Sequence, residues 1–199
     1  MSNADGQVSP GPAAPVRLSF SHMGFFVQDL PRMLDFYTRV LGFTVTDRGK
    51  IGANDIVFTS WDPREHHQIV LVAGRAGSLD LNHINQLSFR VASVEDLQAL
   101  WRRVKDEPAV SDLRPINHGN AWSLYFRDPE GNRLEMFCDT EWYITQPCIE
   151  PLDITLPADE LRRRSDEFCR ASPGFKPVAE FRAEVAEKIA RHTGIAAAK

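Results

Sequence analysis

The sequence has few cysteines, no long apolar run and no excess of basic residues, and each absence excludes a class of protein. Its three cysteines, Cys138, Cys148 and Cys169, are odd in number and follow no metal-ligand spacing, so we expect free thiols in a reducing cytoplasm. No apolar stretch approaches the ~20 residues that span a bilayer, which argues against a membrane protein. A net charge of -4 without a basic stripe gives no reason to expect nucleic-acid binding.

The length and composition fit one globular domain with appendages. The chain has 199 residues, of which 43% are apolar and 25% charged. Residues 1–15 are polar and rich in Pro, Gly and Ala, without the basic and then apolar order of a signal peptide, and this composition predicts a disordered leader. We place the main module at residues 16–140 and a C-terminal extension at residues 141–199.

Two stretches of the chain resemble each other when one is shifted by 64 positions. His22 then falls on Gln86, and apolar residues fall on apolar residues: Phe25 on Phe89, Val27 on Val91, Met33 on Leu97 and Val40 on Val104. Each copy begins with the alternation of a strand and continues with the spacing of a helix. The stretch WDPREHHQIVLV later resembles FRDPEGNRLEMF, with an offset of 66. This internal repeat predicts two copies of one βαβββ unit.

The predicted fold class is α+β, with two βαβββ repeats forming a curved mixed sheet around a metal site. The repeats cover about residues 17–73 and 82–138. We expect the later strands of the two repeats at 43–48, 54–60 and 67–73, and at 109–113, 121–127 and 132–138. The extension is predicted to be an aromatic linker followed by helices at 157–171 and 177–192. Their apolar stripes fit packing on the same domain or on a dimer partner.

Strand alternation brings a possible metal site to the hollow side of the sheet. Gln86 and Ser88 alternate with apolar residues on one strand, and Glu135 alternates with Leu134 and Met136 on another. The repeat gives His22 the same place as Gln86. A histidine, a carboxylate and a third nitrogen or oxygen ligand can bind an octahedral metal and leave positions open for other molecules. We therefore predict His22, Gln86 and Glu135 as metal ligands.

Three further side chains are candidates for catalysis. His67 is expected beside the metal, where an imidazole can act as acid or base near pH 7, while His66 is expected to face away. His118 lies in RPINHGNAW, which we interpret as a loop over the hollow, and Tyr125 carries a hydroxyl that can donate a hydrogen bond to an oxygen anion. His83 is expected to be structural unless a bulge reverses its direction.

These residues resemble those of the vicinal oxygen chelate superfamily, and within it the type I extradiol catechol dioxygenases. The resemblance covers about residues 17–140 and rests on SHMGFFVQDLPRMLDFYTRVLGF, REHHQIVLV, INQLSFRV and SLYFRDPEGNRLEMF. It implies that His22, the residue at position 86 and Glu135 bind Fe(II), or Mn(II) or another divalent metal. His67 would serve as acid or base near oxygen. His118 and Tyr125, ten residues before Glu135, would bind the substrate.

The resemblance also implies the partners and leaves two alternatives. We expect a small aromatic substrate and O2, and a cytoplasmic homo-oligomer, most simply a dimer. The chain departs from these dioxygenases at Gln86, where they carry histidine, and His83 could replace it only through a bulge. A glyoxalase-like lyase or isomerase is one alternative, although its fourth ligand is lacking near Ile69. A non-catalytic, resistance-type binding protein is the other.

Overall fold

The architecture was described from a computed structural model, which describes residues 18–79 and 84–194. The elements of the first repeat are β1 (Met23–Val27), α1 (Leu30–Asp35, continued by a π-helical turn at Phe36–Val40), β2 (Thr44–Ile51), β3 (Asn54–Ser60) and β4 (Ile69–Ala73). Those of the second are β5 (Leu87–Arg90), α2 (Val94–Val104), β6 (Ser111–Asn117), β7 (Ala121–Arg127) and β8 (Arg133–Asp139). The extension holds β9 (Trp142–Tyr143), β10 (Glu150–Pro151), α3 (Ala158–Ala171), β11 (Lys176–Pro177) and α4 (Val178–Thr193).

The two repeats have the same strand order. The first forms a four-stranded sheet in the order β1-β4-β3-β2, and the second forms the order β5-β8-β7-β6, with β10 added at the edge. The first strand of each repeat pairs in parallel with the last, and the other pairs within each repeat are antiparallel. The predicted α+β class, with two mixed sheets of βαβββ topology, is confirmed.

The helices begin and pack as the sequence predicts. Asp29 accepts a hydrogen bond from the backbone N–H of Arg32, and Ser93 accepts one from Asp96, so each helix has a side-chain N-cap. Gly42 follows the first helix with a φ of +82°, a conformation that favours glycine. The matched residues Met33 and Leu97 are both fully buried. The repeat alignment therefore identifies the core-facing sides of both helices.

The register of the last strands corrects the second alignment by one residue. Gly24 pairs with Val70, and its counterpart Ser88 pairs with Glu135. Val70, not Ile69, is therefore the counterpart of Glu135. The first repeat has one more residue between its Asp-Pro turn and its last strand, so matching the turns shifts the strands. Because Val70 is apolar, the expected absence of a fourth ligand at this place holds.

Two buried carboxylates join the second repeat to the first. Both lie in the turn between β7 and β8. Glu130 accepts hydrogen bonds from the backbone N–H groups of Gln28 and Asp29, at 2.7 and 2.9 Å. Tyr37, fully buried, donates to Asp128 at 3.4 Å. Since both acceptors belong to the second repeat and the donors to the first, these bonds fix α1 and the strand before it on the other repeat.

The extension packs on the second repeat. Gln98 of α2 donates to the carbonyl oxygens of Ile154 and Leu156, and Trp122 of β7 donates to Ser165 of α3. Leu161 and Phe168, which form the predicted apolar stripe of α3, pack in the same core as β7 and β8. The stripe of α3 thus contacts its own domain, one of the two predicted possibilities.

The chain divides into two compact units. The larger comprises residues 21–178, and the described part of the smaller comprises residues 18–20 and 179–194. In α4, which belongs mostly to the smaller unit, no side chain is buried. The expected leader, residues 1–15, and His83 lie outside the described residues. Within the described ranges, no helix is both long and apolar enough to cross a membrane.

Several strands begin or end at residues other than those predicted. The strand β2 extends to Ile51, and β6 runs from Ser111 to Asn117 instead of 109–113. Residues 114–117, interpreted above as loop, therefore belong to β6, and only 118–120 form the turn. The pairing register of β6 with β7 shifts between Ser111 and Arg114, where Asp112 has a φ of +55°. With this irregularity, β6 continues beyond the predicted end at residue 113. The strand β4 starts at Ile69, so His66 and His67 lie in the connection before it.

Candidate functional site

Glu135 is the centre of the candidate site. It lies in the middle of β8, between β5 and β7, where its neighbours across the sheet are Ser88 and Tyr125. Residues paired in this way project from the same face of a sheet. Only 8% of Glu135 is exposed, so its charge depends on protein partners instead of water.

Four side chains donate hydrogen bonds to the Glu135 carboxylate. Oε2 accepts from Gln86 Nε2 at 2.7 Å and from the Ser88 hydroxyl at 2.6 Å. Oε1 accepts from the Ser123 hydroxyl at 2.7 Å and from the Tyr125 hydroxyl at 2.6 Å. A carboxylate has about four acceptor positions, so these donors fill it and hold its plane in one orientation.

A polar chain leads from Glu135 to the turn between β6 and β7. The Tyr125 hydroxyl lies 3.1 Å from His118 Nε2, and His118 Nδ1 lies 2.6 Å from the carbonyl oxygen of Cys148. Burial, followed by the hydrogen bond and charge of Glu135, raises the pKa of Tyr125, so the phenol keeps its hydrogen.

The number of hydrogens on His118 and Tyr125 limits which hydrogen bonds these side chains can make. A carbonyl only accepts, so His118 Nδ1 carries a hydrogen, and the single Tyr125 hydrogen points to Glu135. The phenol has one hydrogen, so Tyr125 can donate to Glu135 or to His118 Nε2 but not to both at once.

His22 and His67 form a second cluster at the start of β1. Their ring centroids are 4.2 Å apart, and His22 Nδ1 lies 3.4 Å from the Ser21 hydroxyl. His66 does not face away as expected, because its Nδ1 lies 2.8 Å from that of His67. Burial, then the neighbouring His22 and His66, lowers the pKa of His67, which favours a neutral imidazole near pH 7.

The predicted residues therefore form two groups. Gln86, Glu135, Tyr125 and His118 are joined by hydrogen bonds, while His22 contacts Ser21 and His67. The start of β1 and the start of β5 nonetheless border one small cleft, which is lined by Met23, Phe25, Ile84, Leu87, Asn132 and Arg133. His22 immediately precedes Met23, and Gln86 immediately precedes Leu87 along the chain.

The donor types fit a divalent metal. An imidazole nitrogen, an amide oxygen and a carboxylate suit Fe(II) or Mn(II). The Gln86 side-chain N–H donates a hydrogen bond to Glu135. A half-turn of the amide group would exchange its nitrogen and oxygen and direct the oxygen to the position that the nitrogen now occupies. Within residues 18–79 and 84–194, no three or more His, Cys, Asp or Glu residues form a group that could hold a metal. The predicted ligands His22, Gln86 and Glu135 do not form such a group, because Gln86 contributes an amide and only the other two belong to these residue types.

Two groups of contacts were not assigned a role from the sequence. Alternation placed Ser88 on the hollow side, but the sequence gave no reason to connect Ser88 or Ser123 with Glu135. The contact of Cys148 with His118 had no sequence signal, because it uses a backbone carbonyl about thirty residues away along the chain. The three cysteines are free thiols, as expected, and Cys138 and Cys169 are buried.

Comparison with known proteins supports the resemblance. Residues 19–136 match the family model described as Glyoxalase/Bleomycin resistance protein/Dioxygenase superfamily. The chain is 29% identical over 124 residues to biphenyl-2,3-diol 1,2-dioxygenase 3 of Rhodococcus globerulus, covering 60% of this chain and 62% of that protein. It is 26% identical over 151 residues to metapyrocatechase of Geobacillus stearothermophilus, covering 72% of this chain and 43% of that enzyme. The matches thus span less than two thirds of these relatives.

A solved structure has the same fold. The glyoxylase/bleomycin resistance protein/dioxygenase domain from Frankia sp. EAN1pec superimposes with a TM-score of 0.54 at 27% identity. The match covers 63% of this chain and 100% of that domain. The remainder of this chain corresponds in size to the extension and the residues before the first repeat.

Proposed function

Since the chain belongs to the Glyoxalase/Bleomycin resistance protein/Dioxygenase superfamily, we propose that it is an Fe(II)-dependent, extradiol-type dioxygenase that opens a catechol-like aromatic ring. The observation that carries the proposal is the hydrogen-bonded chain His118–Tyr125–Glu135, which sets a phenol and an imidazole directly beside the candidate metal carboxylate. The similarity to two enzymes named for oxidising aromatic diols supports the same reaction class.

The metal would be held by His22, Gln86 and Glu135. Fe(II) is the first choice, and Mn(II) or another divalent ion is an alternative with the same ligand types. Once bound, the ion would supply a Lewis acid and an electron-transfer centre for the diol and O2. Ser88 and Ser123 keep the Glu135 carboxylate in a fixed orientation, which is the ordinary task of groups that hydrogen-bond a metal ligand.

The chain's own groups then handle the substrate and its protons. A diol loses a proton when it is held as an anion, and the neutral imidazole of His67 is suited to accept one. Tyr125 can turn its hydroxyl from Glu135 to a substrate oxygen, while His118 Nε2 lies 3.1 Å from the phenol oxygen and helps to hold it in place. The buried position of Glu135 strengthens these bonds because water does not compete with them.

Small aromatic diols and O2 are the proposed partners, and a homodimer is the proposed assembly. Two further functions belong to the same superfamily. Glu135 accepts four hydrogen bonds, and a cation would have to compete with these donors for the carboxylate oxygens. This favours a metal-free protein that binds a small molecule as the second candidate. A glyoxalase-like lyase or isomerase is less well supported, since Val70 stands where a fourth ligand would lie.

Anaerobic loading with Fe(II) tests the proposal. The protein is then mixed with O2 and a panel of catechols, including catechol itself and 2,3-dihydroxybiphenyl. We expect O2 uptake together with a yellow ring-fission product. Glu135→Ala should lose both the metal and the reaction. Glu187→Ala, which removes an exposed carboxylate from α4, is the matched control and should keep both.

The other outcomes separate the alternatives. Bound metal without turnover of any diol would refute the dioxygenase and favour a lyase or isomerase. No metal binding at all would favour the binding protein. Metal content of Glu135→Ala equal to that of the native chain would refute the site itself.

A further inference from the structure

The C-terminal extension contacts the turn that carries His118. Within the described residues, four of its positions meet this turn: Ile144, Gln146, Cys148 and Cys169. All four lie beyond residue 136, where the match to the family ends. The extension is therefore an addition to the module that reaches one of its candidate catalytic residues.

Gln146 bridges the two backbones with one side chain. Its Nε2 donates to the carbonyl oxygen of His118 at 2.8 Å, and its Oε1 accepts from the backbone N–H of Cys148 at 3.1 Å. An amide is suited to this task because it offers a donor and an acceptor side by side. The side chain thus holds Cys148 next to His118.

The carbonyl of Cys148 sets the orientation of the His118 ring. It accepts from Nδ1 at 2.6 Å, and Nε2, on the opposite side of the ring, then lies 3.1 Å from the Tyr125 hydroxyl. A hydrogen bond from one ring nitrogen determines which way the other points. Without this carbonyl, the ring would be free to turn away from Tyr125.

The packing of the turn agrees with this arrangement. Gly119 has a φ of +76°, and a Cβ added to it would lie 2.4 Å from Cδ1 of Ile144. Thr140, just before the extension, donates to the carbonyl oxygen of Gly119 at 2.5 Å. The turn and the segment around the start of the extension are therefore in close contact at Gly119, the residue that follows His118.

We infer that the extension is part of the candidate active site, and that Gln146 is a positioning residue that holds the Cys148 carbonyl against His118. The functional part of this inference rests on the proposed role of His118 in binding the substrate. The structural part, the fixed ring of His118, stands on the contacts alone.

The imidazole Nδ1–H of His118 provides a direct test. In a ¹⁵N-labelled sample of the full chain, the ring signals of His118 are assigned by their loss in His118→Asn. We expect an Nδ1–H that exchanges slowly with water in the native chain. Gln146→Ala and Gln146→Glu should raise its exchange rate about tenfold, the scale expected for the loss of one or two hydrogen bonds.

The matched control is Gln98→Ala. Gln98 also anchors the extension with two hydrogen bonds, but to Ile154 and Leu156, away from His118. Gln98→Ala should leave the exchange rate of the His118 Nδ1–H unchanged. Far-UV circular dichroism checks that each variant is folded, which we expect for Gln146 because its side chain is exposed. Native exchange in both Gln146 variants, or equal acceleration in Gln98→Ala, would overturn the inference.

Kinetics distinguish this inference from the proposed function. With a diol that the native enzyme turns over, Gln146→Ala should lower kcat/KM about tenfold without changing the bound metal. If no diol reacts but His118 exchange responds to Gln146 alone, the positioning role stands and the dioxygenase proposal fails. If diols react at native rates in Gln146→Ala, the extension is not part of the active site.

Discussion

Ser88 and Glu135 face each other across the parallel strands β5 and β8, and the serine hydroxyl donates to Oε2 at 2.6 Å. The counterpart pair in the first repeat is Gly24 and Val70, neither of which has a polar side chain. The two repeats share their topology but differ at the position where the second holds a buried charge. The buried Glu135 carboxylate and its four hydrogen-bond donors therefore belong to the second repeat alone.

Ser88→Ala should weaken metal binding without abolishing it. The change removes one of four donors that orient Glu135, and the loss of a group that orients a metal ligand typically lowers affinity about 10-fold. Competition with a chelator under anaerobic conditions measures the change. Ser111→Ala, on the exposed edge of β6, is the control and should leave the affinity unchanged. Equal affinities in the two variants would show that Ser88 does not orient the carboxylate.

Gln86→His should strengthen metal binding. Imidazole is a better ligand for Fe(II) than a neutral amide, and we expect a gain of about tenfold, the scale of changes around metal ligands. The same chelator competition reports the affinity, and Gln86→Ala provides the comparison for loss of the native amide. An unchanged or weaker affinity in Gln86→His would mean that position 86 is not directed at the metal.

Asp128→Asn should change how stability depends on pH. Burial, the main cause, raises the pKa of Asp128 from 3.8 to about 6, despite hydrogen bonds from Asn132 and the N–H of Glu130 that lower it. A raised carboxyl pKa means that the folded chain binds more protons than the unfolded chain between about pH 4 and 6. This contribution to stability is complete below about pH 4 and is lost as the pH rises through 6.

Urea unfolding from pH 4 to 7 measures the effect. The free energy of unfolding of the native chain minus that of Asp128→Asn should fall by on the order of 1 to 3 kcal/mol across this range. Asp153 is the control, since hydrogen bonds from Thr155 lower its pKa and it is exposed. The corresponding difference for Asp153→Asn should stay nearly flat across this range, because a lowered pKa moves its titration to lower pH. A flat difference for Asp128→Asn would contradict the assignment.

Gly119→Ala should destabilise the chain by roughly 2 to 4 kcal/mol, the sum of a left-handed backbone and overpacking. The added Cβ meets Ile144 at 2.4 Å. Gly131→Ala is a close control, because its φ is +78° and nothing lies within 4 Å of its Cβ position, so it should cost only the backbone part. Thermal unfolding of both variants gives the comparison. Equal losses would show that the extension yields to the added methyl group.

The sequence by itself determined the two repeats, the succession of strands and helix along each repeat, and the core-facing residues of both helices. These follow from local periodicity, because burial of one face repeats every two residues in a strand and about every 3.6 in a helix. It also placed Gln86 and Glu135 on one face, and the structure joins these two side chains by a hydrogen bond. The roles of these residues, and of His22 in binding a metal with them, stay predictions.

Only the tertiary structure decided the pairing register of β4, the full length of β6 and the partners of Glu135 and His118. Register depends on how many residues a turn accommodates, and the one additional residue after the first Asp-Pro turn moved Val70 to the place given to Ile69. The contact between His118 and Cys148 uses a backbone carbonyl, which every residue carries. Periodicity cannot indicate such a partner, because its position is set by the course of the chain through space and not by the side-chain pattern.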